Sequence, residues 1–192
     1  MDDADREYFT RLVREYKATC GAKVYHWALM GNHYHLQVEV VYENLRAFVG
    51  GVQQAYAQYH HARHGTSGVF WQGRFKSKPV EIGLYLGCCG RYIERNPVRA
   101  GLSALAWEYR WSSAAAYTKQ AVDGVTDLNP YLGELTEQAR SLYRDALMSG
   151  VDEKMVRTFE GKRAIGRAEF TATLKMERGR YRVKRGRPVR SV

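Results

Sequence analysis

The sequence predicts an α+β fold in which an antiparallel sheet is covered by helices on one face. Three observations predict it. Apolar residues recur at helical spacing in several segments, beginning with residues 2–20, 45–61 and 81–95. Two runs rich in Val, Tyr and Leu flank a Gly31-Asn32 turn. A chain of 192 residues that is 45% hydrophobic builds a core without metal or disulfide staples.

Residues 2–20 place Tyr8, Phe9, Leu12, Val13 and Tyr16 on one helical face, with acids in the first turn and Gly21 as the stop. Residues 23–30 and 33–42 are the strands of a hairpin. Residues 45–61 return to helical spacing through Leu45, Phe48, Val49, Val52, Tyr56 and Tyr59. Residues 69–80 are extended and interrupted by Gly73. Residues 81–95 form a helix that ends near Asn96, because a residue before proline is biased away from the α region. Trp107 and Trp111 lie in a loop, and residues 134–148 and 153–159 are further helices. Beyond Arg178 little can be buried, so the end of the chain is predicted disordered.

Charge and cysteine content narrow the function classes. Residues 161–192 carry 11 Lys and Arg against 2 acids, whereas residues 1–160 carry 19 against 18. A near-neutral body with a cationic tail points to a polyanion, most often nucleic acid. The three Cys make no disulfide framework, which suits a reducing cytoplasmic setting and, with DNA as partner, association with the nucleoid. The chain opens MDDADREYF with no signal peptide, and no apolar run approaches the roughly 18 residues of a membrane span.

Four groups of residues could carry chemistry. On a strand, His33 and His35 share one side with Gln37 and Glu39, so two imidazoles can converge on one cation. The bare pair fits a solvent-facing strand equally well. Tyr92 and Asn96 share a helical face: a phenol is a nucleophile when its target is polarised, and an amide oxygen suits Mg²⁺ or Mn²⁺. On spacing alone, they are also an ordinary apolar-stripe tyrosine and a helix-ending asparagine. Arg74, Lys76, Lys78, Arg91, Arg95 and Arg99 form a basic run suited to a phosphodiester, or simply a solvated surface. Arg185 and Arg187 flank Gly186 in a tail motif that resembles an AT-hook. His60, His61 and His64, with no carboxylate at ligand spacing in the sequence, are a polar helix end.

Residues 27–36 (WALMGNHYHL), 69–77 (VFWQGRFKS), 92–102 (YIERNPVRAGL) and 111–117 (WSSAAAY) occur in an order and spacing that resembles the IS200-like single-tyrosine (HUH) transposases. The resemblance is strongest to the branch associated with repetitive extragenic palindromes, and it runs from about residue 3 to 160. It implies a ferredoxin-like sheet, here without the family's usual N-terminal strand. It implies a catalytic domain over 1–118, a helical extension over 119–160 and a basic, largely disordered DNA-binding tail over 161–192. It also implies a Mg²⁺ or Mn²⁺ ion held by His33, His35 and Asn96. Tyr92 would then cut single-stranded or hairpin DNA, leaving a 5′-phosphotyrosine, in a protein that acts as a monomer or homodimer. The alternative is a truncated or domesticated protein that binds DNA hairpins without cutting them. A sequence-blind RNA or single-strand binder explains the tail but not the joint presence of the His pair and the Tyr–Asn pair.

Overall fold

The computed structural model describes residues 1–161 and 164–180. Helix α1 (Asp3–Cys20) starts where Asp2 and Asp5 accept each other's backbone N–H groups at 2.9 and 3.0 Å, a reciprocal cap. Its apolar stripe, Phe9, Leu12 and Val13, is buried. Strands β1 (Lys23–Leu29) and β2 (Tyr34–Glu39) pair antiparallel, and helix α2 (Tyr42–His64) packs along α1. Gly51 makes this crossing possible, because a Cβ there would sit 2.1 Å from the Tyr16 ring.

An irregularity in register between Val24 and His26 decides which side chains face which layer. Val24, Trp27 and Leu29 join α1 and α2 in the first core, while Ala28 and Met30 join a second core on the other side. Strict alternation would have put Val24 with Ala28. That second core is built by helix α3 (Leu84–Arg99), so α1 and α2 cover one face of the hairpin and α3 crosses the opposite one. Gly90 sits where a Cβ would be 2.6 Å from the His26 ring, which lets α3 lie close on β1.

The other edge of β1 is closed by backbone bonds: Leu29 N–H to Trp111, Ser113 N–H to the Trp27 carbonyl, and Asp127 N–H to the Val24 carbonyl. The outer edge of β2 pairs with no strand among the described residues. Helix α4 (Ala114–Lys119) and helix α5 (Glu137–Ser149) form a third core with Tyr117, Tyr143 and Leu147. Buried Arg140 fastens the two by donating to the Ala116 and Tyr117 carbonyls at 2.9 and 3.0 Å. Helix α6 (Glu153–Gly161) follows, then helix α7 (Ala168–Arg180).

The α+β class and the hairpin are as predicted; several boundaries differ. His33 precedes β2 and lies in the hairpin turn, where its carbonyl accepts the Met30 N–H at 2.8 Å. Residues 69–80 form no strand: Phe70, Trp71 and Phe75 pack on the first core, and Val80 alone bridges to Ile165. α3 continues through Pro97 instead of stopping at Asn96. Pro97 has no N–H for the Ile93 carbonyl, but Asn96 Nδ2 reaches that carbonyl at 3.5 Å and the Tyr92 carbonyl at 2.9 Å. Within the basic tail, Ile165 is buried and exchanges backbone bonds with Pro79 and Glu81. The last predicted tail residues, including Arg185 and Arg187, lie outside the described residues. Among the described residues, no helix is long and apolar enough to cross a membrane.

Candidate active site

The polar side of β2 is covered in its middle, although His33 and Glu39 at its ends are exposed. α3 lies over it, and Gln37, buried to 5% exposure, donates from Nε2 to the Leu86 carbonyl at 3.0 Å. The same helix carries Tyr92 to His35, with ring centroids 6.1 Å apart. The His33 and His35 rings are 5.0 Å apart and nearly perpendicular. Three side chains separated by up to 59 positions therefore meet at one end of the hairpin.

His33 is exposed, and its Nδ1 lies 2.7 Å from Asn32 Oδ1. With Nδ1–H donated to that oxygen, Nε2 keeps a free lone pair. His35 is half-buried, and its pKa is pushed down to about 4, by burial first and then by His33 and Arg99. At neutral pH it is an uncharged imidazole, the form that binds a metal ion. Asn96 uses Nδ2 on the helix backbone, and its Oδ1 accepts no hydrogen bond among the described residues. Two imidazole nitrogens and an amide oxygen fit a divalent cation of intermediate hardness.

Tyr92 is only 9% exposed. Phe159 of α6 packs against its ring at 5.1 Å, and its hydroxyl donates to Glu160 Oε1 over a long 3.4 Å. Burial raises the phenol's pKa above its ordinary value, Glu160 raises it further, and Arg99 opposes both. The Arg99 guanidinium lies 5.4 Å over the Tyr92 ring and pairs with Glu160 at 3.3 Å. The tyrosine is protonated as it stands, so its reaction needs a proton acceptor and a polarised target.

The basic run divides by use. Arg74 and Lys76 are exposed and bond to none of the described residues, which leaves both cations free for a ligand. Lys78 donates to the carbonyls of Phe159 and Glu160, the second at 2.9 Å, and so caps the end of α6. Arg95 donates to the carbonyls of Leu147 and Met148, the second at 2.8 Å, and caps α5. Arg91 reaches Cys88 Sγ at 3.2 Å. Of the six, Arg99 is the one beside Tyr92.

Three groups escaped the sequence reading. Phe159 and Glu160 cover Tyr92 from more than 60 positions away, a contact no local pattern announces. Glu94, which looks like an acid offsetting the basic run, is fully buried and binds His26 Nδ1 at 2.8 Å, Ser113 Oγ at 2.6 Å and Tyr143 Oη at 2.9 Å. It sits two residues from Tyr92, within the stretch of α3 that presents it. The third is a carboxylate, Asp5, that joins His60 and His64 in the α1–α2 layer.

A family model described as "Transposase IS200 like" matches residues 1–96. The matched span includes His33, His35, Tyr92 and Asn96. No curated protein and no solved structure matches the chain.

Proposed function

The chain belongs to the IS200-like transposase family, and from that premise we propose that it nicks and rejoins single-stranded or hairpin DNA through Tyr92. The motifs of residues 69–77 and 92–102 favour the branch associated with repetitive extragenic palindromes. The observation that carries the reading is the convergence of His33, His35 and Tyr92, with ring separations of 5.0 and 6.1 Å, across two elements that share no local sequence.

In this reading His33, His35 and Asn96 hold Mg²⁺ or Mn²⁺, which when bound polarises the scissile phosphate and offsets its developing charge. The chain's own groups do the rest. Tyr92 Oη attacks phosphorus, its proton passes to the neighbouring Glu160 carboxylate, and the P–O3′ bond breaks. The products are a 5′-phosphotyrosine and a 3′-hydroxyl, whose oxygen takes up a proton from solvent. Arg99 opposes the burial that keeps the phenol protonated, and Arg74 and Lys76 are free to meet the DNA backbone. Because the phosphotyrosine conserves the ester bond, a later 3′-hydroxyl can reverse the step. Residues 1–118 would be the catalytic domain, 119–160 its helical extension and 161–192 the DNA-binding tail.

A gel assay for a covalent adduct tests the reading. Protein incubated with end-labelled hairpin DNA should become attached to the 3′-side fragment in Mn²⁺ or Mg²⁺ and remain unattached in EDTA. Tight DNA binding without an adduct would support the second reading, a silent hairpin-binding protein, which the 9% exposure of Tyr92 favours. The Phe159→Ala variant, which uncovers the Tyr92 ring and keeps Glu160 as proton acceptor, separates the two. Uncovering Tyr92 should raise the adduct yield several-fold if the protein is an enzyme. It should leave the yield at zero if it is not.

A further inference from the structure

The most suggestive unassigned cluster lies where α1 begins and α2 ends. His60 and His64, one helical turn apart, are on the same face of α2, and Asp5 reaches them from α1. One donor atom from each of the three lies within 4.8 Å of the other two. We propose that Asp5, His60 and His64 form a second cation site, which takes a borderline transition-metal ion such as Zn²⁺ and fastens the start of α1 to the end of α2.

Four observations support a site over a simple ion pair. First, His64 Nε2 lies 3.0 Å from Asp5 Oδ1, a contact that holds one shared proton and that a cation can replace. Second, the Nδ1 of His60 is buried without a hydrogen-bond partner among the described residues. A half-buried imidazole with an orphaned inner nitrogen, its ring centroid 4.2 Å from that of His64 and tilted by 35°, is poorly explained by ion pairing alone. Third, the adjacent His61 is accounted for: its two ring nitrogens meet Thr66 Oγ1 at 2.8 Å and the Gly68 carbonyl at 3.2 Å. The cluster is thus selective for the two histidines that face Asp5. Fourth, Arg63, which also contacts Asp5 Oδ1 at 2.5 Å, has both Asp2 oxygens at 2.7 Å and keeps a bidentate partner when Asp5 turns to an ion.

The donor set selects the ion. Two imidazoles and one carboxylate, with a water in the fourth position, suit tetrahedral Zn²⁺ or Co²⁺ far better than the all-oxygen preference of Ca²⁺ or Mg²⁺. Tetrahedral bonds of about 2.0–2.2 Å put neighbouring donors about 3.4 Å apart, so modest side-chain rotations close the 4.8 Å cluster. Phe70, with its ring centroid 4.7 Å from that of His60, forms an apolar wall on one side of the cluster.

The test uses the full chain with His33→Ala and His35→Ala, so that the other histidine pair cannot bind. Co²⁺ added to metal-free protein should give the intense visible bands of a tetrahedral centre, saturating at one equivalent, and Zn²⁺ should abolish them and raise the unfolding temperature. His60→Gln and His64→Gln, made separately, should each weaken Co²⁺ by about 100-fold or more. Ring ¹⁵N shifts in the Zn²⁺ titration locate the ion without further substitution: His60 and His64 move, and His61 does not. Absence of the bands, unchanged affinity in either glutamine variant, or shifts at His61 instead would overturn the proposal. None of these outcomes bears on Tyr92, whose chemistry is read separately by adduct formation.

Discussion

Tyr92→Phe is expected to reduce the covalent DNA adduct by about a thousandfold or more, the scale of losing a nucleophile. DNA affinity should stay within about twofold of the parent, because the substitution removes only the hydroxyl and its 3.4 Å hydrogen bond to Glu160. The Phe ring keeps its packing on Phe159 and its place beside His35, so the variant folds and the two effects can be separated. A denaturing gel for the adduct and a filter-binding titration on the same hairpin check both halves. If the adduct persisted in the phenylalanine variant, the nucleophile would be another of the fourteen tyrosines. Equal losses of adduct and binding would mean that Tyr92 holds DNA instead of attacking it.

The second large effect is on stability. Glu94→Ala should cost about 3–5 kcal/mol, since removing the hub of a buried hydrogen-bond network leaves its partners unsatisfied at about 1–3 kcal/mol each. Two groups would be stranded at once, His26 Nδ1 and Tyr143 Oη, and a third, Ser113 Oγ, would keep only the Trp27 backbone. They come from β1, the start of α4 and α5, so the single carboxylate ties three elements to α3. The network is sealed by the Tyr117 ring, stacked on His26 at 4.4 Å. Urea unfolding followed by circular dichroism measures the loss, and Glu94→Gln, which retains one acceptor oxygen, should lose less than Glu94→Ala. A cost below about 1 kcal/mol would be the range of an ordinary neutral hydrogen bond and would deny the network this role.

The same residue shows why part of the site was illegible. Glu94 lies in a segment with Arg91, Arg95 and Arg99, and in one dimension it reads as a surface acid among bases. Its partners are 68, 19 and 49 positions away, and no spacing rule links them. Lys78 and Arg95 mislead in the opposite sense, because cations that suit a phosphate suit the exposed carbonyls at a helix end as well. At Pro97 the local rule gave way, and Asn96 supplies by side chain the one bond, to the Ile93 carbonyl, that proline withholds.

In the sequence His33 and His35, and Tyr92 and Asn96, are two local pairs whose spacing fits ordinary structural roles as well, and it is the resemblance of the surrounding motifs that singles them out. The hydrophobic periodicity determined α1, α2, α3 and the hairpin, since burial of one face requires that repeat whatever lies opposite. Only the tertiary structure decided that α3 crosses the polar side of β2 and brings Tyr92 to the histidines, that α6 covers it, and that Asp5 lies beside His60 and His64. Those three outcomes depend on which distant surfaces meet, and the irregular register at Val24 and His26 helps set them by changing the face each β1 side chain presents. A periodicity specifies that a face is buried; the partner that buries it is chosen by packing across the whole chain.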